Sequence, residues 1–124
     1  MTFGKTKSVI RKLKRSFVLN SVRSFYADQD YDLVLKHLKK PFSLKRDDEV
    51  ISNIFRILAL NNVGDSAWKL EWEYLNDQRS LDAFDENTKS YLQIMLQERL
   101  FGQPQSPLVE FSTLPKKIQK YFPE

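Results

Sequence analysis

Side chains able to do chemistry are sparse in this chain. His37 is the single histidine, there is no cysteine, and the carboxylates number 16. Without cysteine there is no thiolate nucleophile, no disulfide framework and no zinc–thiolate site. General-base, triad and metal chemistry pair a histidine with a second ligand or an orienting carboxylate. His37 stands alone between Lys36 and Leu38, so it reads as a helix-surface residue. Asp28-x-Asp30-x-Asp32 has the opening spacing of a calcium loop. Such a loop needs Gly at its sixth position and Glu at its twelfth. Leu33 and Lys39 stand there instead, so the segment reads as a capped helix start.

The grouped carboxylates give no acid–base pair. Glu71 and Glu73 are two apart on a helix and face different directions. Asp47, Asp48 and Glu49, like Asp82, Asp85 and Glu86, sit at expected helix starts, where capping and the helix dipole account for them. There is no Gly-rich phosphate loop and no nucleophile elbow. The chain reads as non-enzymatic, with no cofactor and no metal site.

Two binding surfaces can be read from residue type and spacing. Trp68, Trp72 and Leu75 share one side of a helix. They serve either as core or as an exposed anchor patch, since Trp and Tyr are enriched in binding hot spots. Glu71 and Glu73 flank Trp72, Asp65 stands at the start of that helix and Asp77 at its end. Asp65, Trp68, Glu71, Trp72, Glu73 and Asp77 would thus form aromatic anchors inside an acidic rim, suited to a basic protein partner such as a nucleic-acid-cleaving toxin. The alternative is nucleic acid. Lys7, Arg11, Lys12, Lys14, Arg15, Lys39 and Lys40 would neutralise phosphates from a basic N-terminal helix. Neither a helix-turn-helix signature nor basic–aromatic interleaving supports it. Membrane-surface binding through the same helix ranks third.

Charge is unevenly distributed. Residues 1–46 hold 12 Lys/Arg against 3 Asp/Glu, and residues 47–98 hold 4 against 11. Such asymmetry calls for a charged partner or for charge-complementary packing within the fold.

The elements that must position these residues are helical. Only 3 Gly and 5 Pro in 124 residues, with 41% hydrophobic and 29% charged composition, favour one globular domain of long helices. Apolar periodicity predicts all-α structure, with helices near 5–26, 30–39, 47–61, 65–76, 86–101 and 115–121 and a proline-containing loop at 103–107. Residues 47–75 form the central antiparallel hairpin, with five or six helices in all. Val50, Ile54, Ile57 and Leu58 give its first helix a wide apolar face. Asn61, Asn62 and Gly64 stop that helix, and Asp65 or Ser66 caps the next. Ile54, Leu58, Leu70, Leu35, Leu92 and Phe17 are the expected core.

A weak repeat underlies the hairpin. Residues 30–38 and 64–75 match in design at a period of 36, with Val34 aligned to Leu70 and Leu38 to Tyr74. Over residues 8–75 the chain resembles tetratricopeptide-like helical hairpins, with Gly64-Asp65 at the turn. Gln29 replaces the expected Gly in the first copy, and Val34 and Leu70 replace the small packing residue.

No apolar run approaches the roughly 20 residues that span a bilayer. The apolar stretch near the N-terminus is broken by Asn20, Ser21 and Arg23, so a secretory signal is not expected. Residues 1–27 carry no acid and share the composition of mitochondrial transit peptides. The preferred reading is a basic first helix of the folded domain. Lack of cysteine fits a reducing cytosol, and a cytoplasmic location is expected.

Overall fold

The computed structural model describes residues 18–103 and 109–123. Among these the fold is all-α: six helices, two 3-10 turns and no strand. Helix α1 covers residues 18–27, the described part of the expected helix 5–26. It is followed by α2 (Tyr31–His37), α3 (Asp47–Asn62), α4 (Ala67–Asp77), α5 (Glu86–Phe101) and α6 (Lys116–Tyr121). The 3-10 turns are Ser80–Ala83 and Phe111–Thr113. Residues 5–17, and with them Phe17, Lys7, Arg11, Lys12, Lys14 and Arg15, lie outside the described residues, as does loop 104–108.

Helix α3 is the centre. Every residue from Glu49 to Leu60 is buried except Arg56, which is half-buried. The expected one-sided stripe is therefore apolar nearly all round, as a helix must be when it has neighbours on every side. Asp47, Asp48 and Glu49 occupy its first turn, at the positive end of its dipole. Its end is a left-handed stop at Gly64, φ 77°. The Gly64 N–H donates to the Asn61 carbonyl, and the Asp65 N–H to the Leu60 carbonyl at 2.9 Å. These two bonds satisfy carbonyls the helix leaves open. Asp65 Oδ1 then accepts from the Ala67 N–H, which starts α4 and sends it back along α3.

Caps set the other boundaries. The Asp30 side chain accepts from the Leu33 N–H at the head of α2. Asp85 accepts from the Thr88 N–H at 2.7 Å at the head of α5, and Gly102, φ 65°, closes that helix. Gln29 adopts φ 60°, a left-handed angle at the position where the repeat would carry Gly.

One core unites the helices. Ile54, Leu58 and Leu92 are fully buried in it, and Leu35 packs at its edge. Leu70, expected beside them, is 72% exposed. The reason is that α4 carries two apolar stripes, and its Trp72/Leu75 side is the one that turns inward. Val34 is buried, so the two positions aligned by the repeat occupy opposite environments. The C-terminal segment contributes more than its length suggests. Phe122 is buried and stacks on Phe55, with ring centroids 5.0 Å apart.

Candidate functional site

The polar residues of α3 explain how a surface groove is built. Glu49, Asn53 and Arg56 are spaced i, i+4, i+7 and form one polar stripe on an otherwise apolar helix. All three reach outward, to the 38–44 connector or to α4. Asn53 brackets Phe42: its Oδ1 accepts from the Phe42 N–H at 3.0 Å, and its Nδ2 donates to the Phe42 carbonyl at 3.1 Å. The Ser43 hydroxyl donates to Glu49 Oε2 at 2.6 Å. Arg56 donates through Nη1 to the Leu38 carbonyl and through Nε to Glu71 Oε1 at 2.8 Å. The stripe thus holds the 38–44 connector on one side and α4 on the other.

Between them lies an apolar groove. Pro41, Phe42 and Leu44 form one lip and Leu70, Glu71 and Tyr74 the other, with Ile57 and Leu75 at the base. It encloses about 220 Å³, below the roughly 300–1,000 Å³ of ordinary small-molecule sites. That volume suits one or two apolar side chains of a partner rather than a cofactor. Leu70 and Tyr74, on the α4 lip, are 72% and 56% exposed.

The outward face of α4 carries the charge. Leu70, Glu73, Tyr74 and Asp77 recur at i, i+3, i+4, i+7 and are all exposed. Glu73 and Asp77 are in no ion pair among the described residues; the pairs that form there use Arg56–Glu71, Arg79–Asp82, Lys89–Asp82 and Lys117–Asp47. On the connector side Lys39, Lys40, Lys45 and Arg46 are exposed and likewise in no ion pair among the described residues.

The residues expected to bind a partner are redistributed by this geometry. Asp65, Glu73 and Asp77 are exposed. Trp72 is buried, only 8% exposed, and packs edge-on to Phe101; it is core, not an exposed anchor. Trp68 is half-buried, edge-on to Phe101 at 5.5 Å, with the Lys69 ammonium over its ring. Glu71 is held by Arg56, with side-chain exposure of only 17%, so it belongs to the scaffold rather than to a free rim. Of the alternative basic set, Lys39 and Lys40 are exposed beside the groove. His37 donates from Nδ1 to the Leu33 carbonyl at 2.9 Å, and its ring lies against Phe25.

The groove is not among the surfaces that residue type and spacing predict. The signal for it was the polar stripe Glu49, Asn53, Arg56, which marks where a buried helix must hold something other than another apolar face. Comparison with protein-family models, curated proteins and solved structures gave no match to this chain. Among the described residues no helix is long and apolar enough to cross a membrane.

Proposed function

We propose that this chain is a small, non-enzymatic protein-binding protein, an adaptor or a bacterial immunity or antitoxin-type inhibitor, acting by surface complementarity at the groove. The supporting observation is Leu70, an aliphatic side chain mostly exposed to water beside Tyr74 on the lip of an apolar groove. Single exposed apolar residues are ordinary, whereas adjacent ones on a pre-set apolar groove mark interaction sites. Glu73 and Asp77 on the same face would steer a partner with a basic contact surface. The inhibitor label rests on economy: a chain of this size with an extensive core and no reactive constellation has its surface to work with. A cytoplasmic location, and a resemblance of residues 8–75 to tetratricopeptide-like helical hairpins, belong to the same proposal.

A second reading is a nucleic-acid-associated protein. It is favoured by four exposed cations, Lys39, Lys40, Lys45 and Arg46, around the connector. An affinity pull-down from the native host, repeated across salt and with nuclease, separates the two. Retention of one stoichiometric protein is the expected result. Nuclease-sensitive retention that falls steeply with salt would overturn the first reading in favour of the second.

A further inference from the structure

Helix α4 and the groove beside it present their groups in a fixed order. Trp72 and Leu75 turn to the core. Glu71 and Tyr74 line the groove, and Leu70 stands on its lip, 72% exposed. Glu73 and Asp77 are exposed and line no part of the groove. At about 3.6 residues per turn they fall on the far side of Leu70. The outer face of α4 is thus an apolar crest with the groove on one flank and carboxylates on the other. The opposite lip of the groove is basic: Lys40 and Lys45 are exposed beside the lining residues Pro41 and Leu44.

We propose that the groove takes the α4 crest of a second copy of this chain. This rests on the reading of the groove as a protein-binding surface and names an occupant for it. An apolar crest beside an apolar groove is self-complementary under a two-fold rotation, the symmetry of most small oligomers. The axis runs along α4. Rotation about it places each crest in the other copy's groove, with the two α4 helices parallel and side by side. The same rotation turns the carboxylate flank of each α4 onto the other copy's connector.

Position along the axis is unchanged by that rotation. Pro41 and Leu44 lie across the groove from Leu70 and Tyr74, so Glu73 of one copy arrives level with Lys40 and Lys45 of the other. Leu70 and Tyr74 then make an apolar centre, and the acid–base contacts lie at its rim. A groove of about 220 Å³ has room for those two side chains. Glu71 of each copy stays paired with its own Arg56, so the one carboxylate near the centre is neutralised within its chain. Charge complementarity selects this occupant. An entrant must bring an apolar ridge to the groove and acid to the connector, and α4 carries both on adjoining flanks.

Sedimentation velocity of the full chain, over a concentration series at low and high salt, reads self-association. A concentration-dependent dimer that weakens as salt rises is expected. Glu73→Lys with Asp77→Lys, and separately Lys40→Glu with Lys45→Glu, should each weaken it by more than about ten-fold through like-charge contact. All four positions are exposed, so melting temperatures should stay near wild type. Mixing the two variants in equal amounts should restore a dimer with one copy of each, because one acid–base contact is then native and the other has its signs exchanged. A wild type that stays monomeric, charge variants that dimerise as wild type does, or a mixture that stays monomeric would overturn the proposal. Dimers that survive in Leu70→Asp, Tyr74→Asp would place self-association elsewhere and overturn it too. The reading of the groove fails or stands separately: a monomeric wild type whose Leu70→Asp, Tyr74→Asp variant loses a native partner keeps the groove as a binding surface and overturns only the second copy.

Discussion

The side-chain amide of Asn53 pairs with the backbone of Phe42 through both of its polar atoms, at 3.0 and 3.1 Å. An asparagine that is 4% exposed here takes the part of a neighbouring strand, satisfying a donor and an acceptor of a segment with no secondary structure of its own. The pair fixes one lip of the groove to the most buried helix of the protein. The Arg56–Glu71 pair fixes the other lip to the same helix one turn later. The groove is therefore pre-organised, and a partner entering it need not order its walls.

Asn53→Ala removes both bonds and leaves the Phe42 backbone groups without partners. The expected cost is about 1–3 kcal/mol, read as a lower denaturant midpoint at unchanged slope. Protease cleavage should rise within residues 38–46. An unchanged midpoint would mean that water replaces Asn53 at no cost and that the lip is not held by it.

The two glutamates next to Trp72 should behave differently. Glu71→Lys places a cation against half-buried Arg56 and should destabilise clearly, because the pair is mostly shielded from water. A double-mutant cycle on Arg56 and Glu71 should give a coupling of about 1–2 kcal/mol, above that of a surface pair and below that of a deeply buried one. Glu73→Lys, on the exposed face, should leave the melting temperature within about one degree-scale error, its effect on stability being no more than about 0.5 kcal/mol. Equal losses for both would contradict the assignment of Glu71 to the scaffold.

Two leucines offer the sharpest contrast in burial. Leu58 is fully buried, and Leu58→Ala should cost roughly 2–5 kcal/mol through lost contacts and a residual cavity. Leu70 is 72% exposed, and Leu70→Ala should change stability by no more than about 0.5 kcal/mol. Chemical denaturation of the two variants side by side reads both values. A large loss at Leu70 would place that side chain in the core after all.

Asp85 provides a pH test. Its carboxyl is held below the usual aspartate range, first by the hydrogen bond it accepts from the Thr88 N–H. A folded pKa lower than the unfolded one contributes stability above the unfolded value, and that contribution is lost as pH falls through the folded value. The stability difference between wild type and Asp85→Ala should therefore be constant near neutrality and shrink as pH drops below about 4. A difference independent of pH down to acid unfolding would show that the carboxylate charge plays no part in the cap.

Much of the helical plan is legible in the sequence because caps and stops are local. Asp85 and Gly102 bracket α5 at its observed ends, and Gly64 ends the central helix where its left-handed angle is needed. Burial of α4 was harder to read. Its sequence carries two apolar stripes, and periodicity cannot say which one finds a neighbour; the Trp72 side does, which leaves Leu70 and Tyr74 in water. The groove depends on contacts between Asn53 and Phe42, and between Arg56 and Leu38, in which one partner is backbone of an irregular connector. Side-chain identity carries no trace of such a partner, although the spacing of Glu49, Asn53 and Arg56 marks the helix face that needs one. The stacking of Phe122 on Phe55 is similarly non-local.

The groove between the connector and α4 is the proposed protein-binding surface. The most direct measurement is retention of the native partner by wild type and by the double variant Leu70→Asp, Tyr74→Asp, with melting temperatures recorded for both. Both side chains are exposed, so the fold should tolerate the change, while two carboxylates on the lip should block an apolar anchor from entering. An unchanged melting temperature and loss of the partner are expected. A folded double variant that retains the partner as wild type does would contradict that assignment.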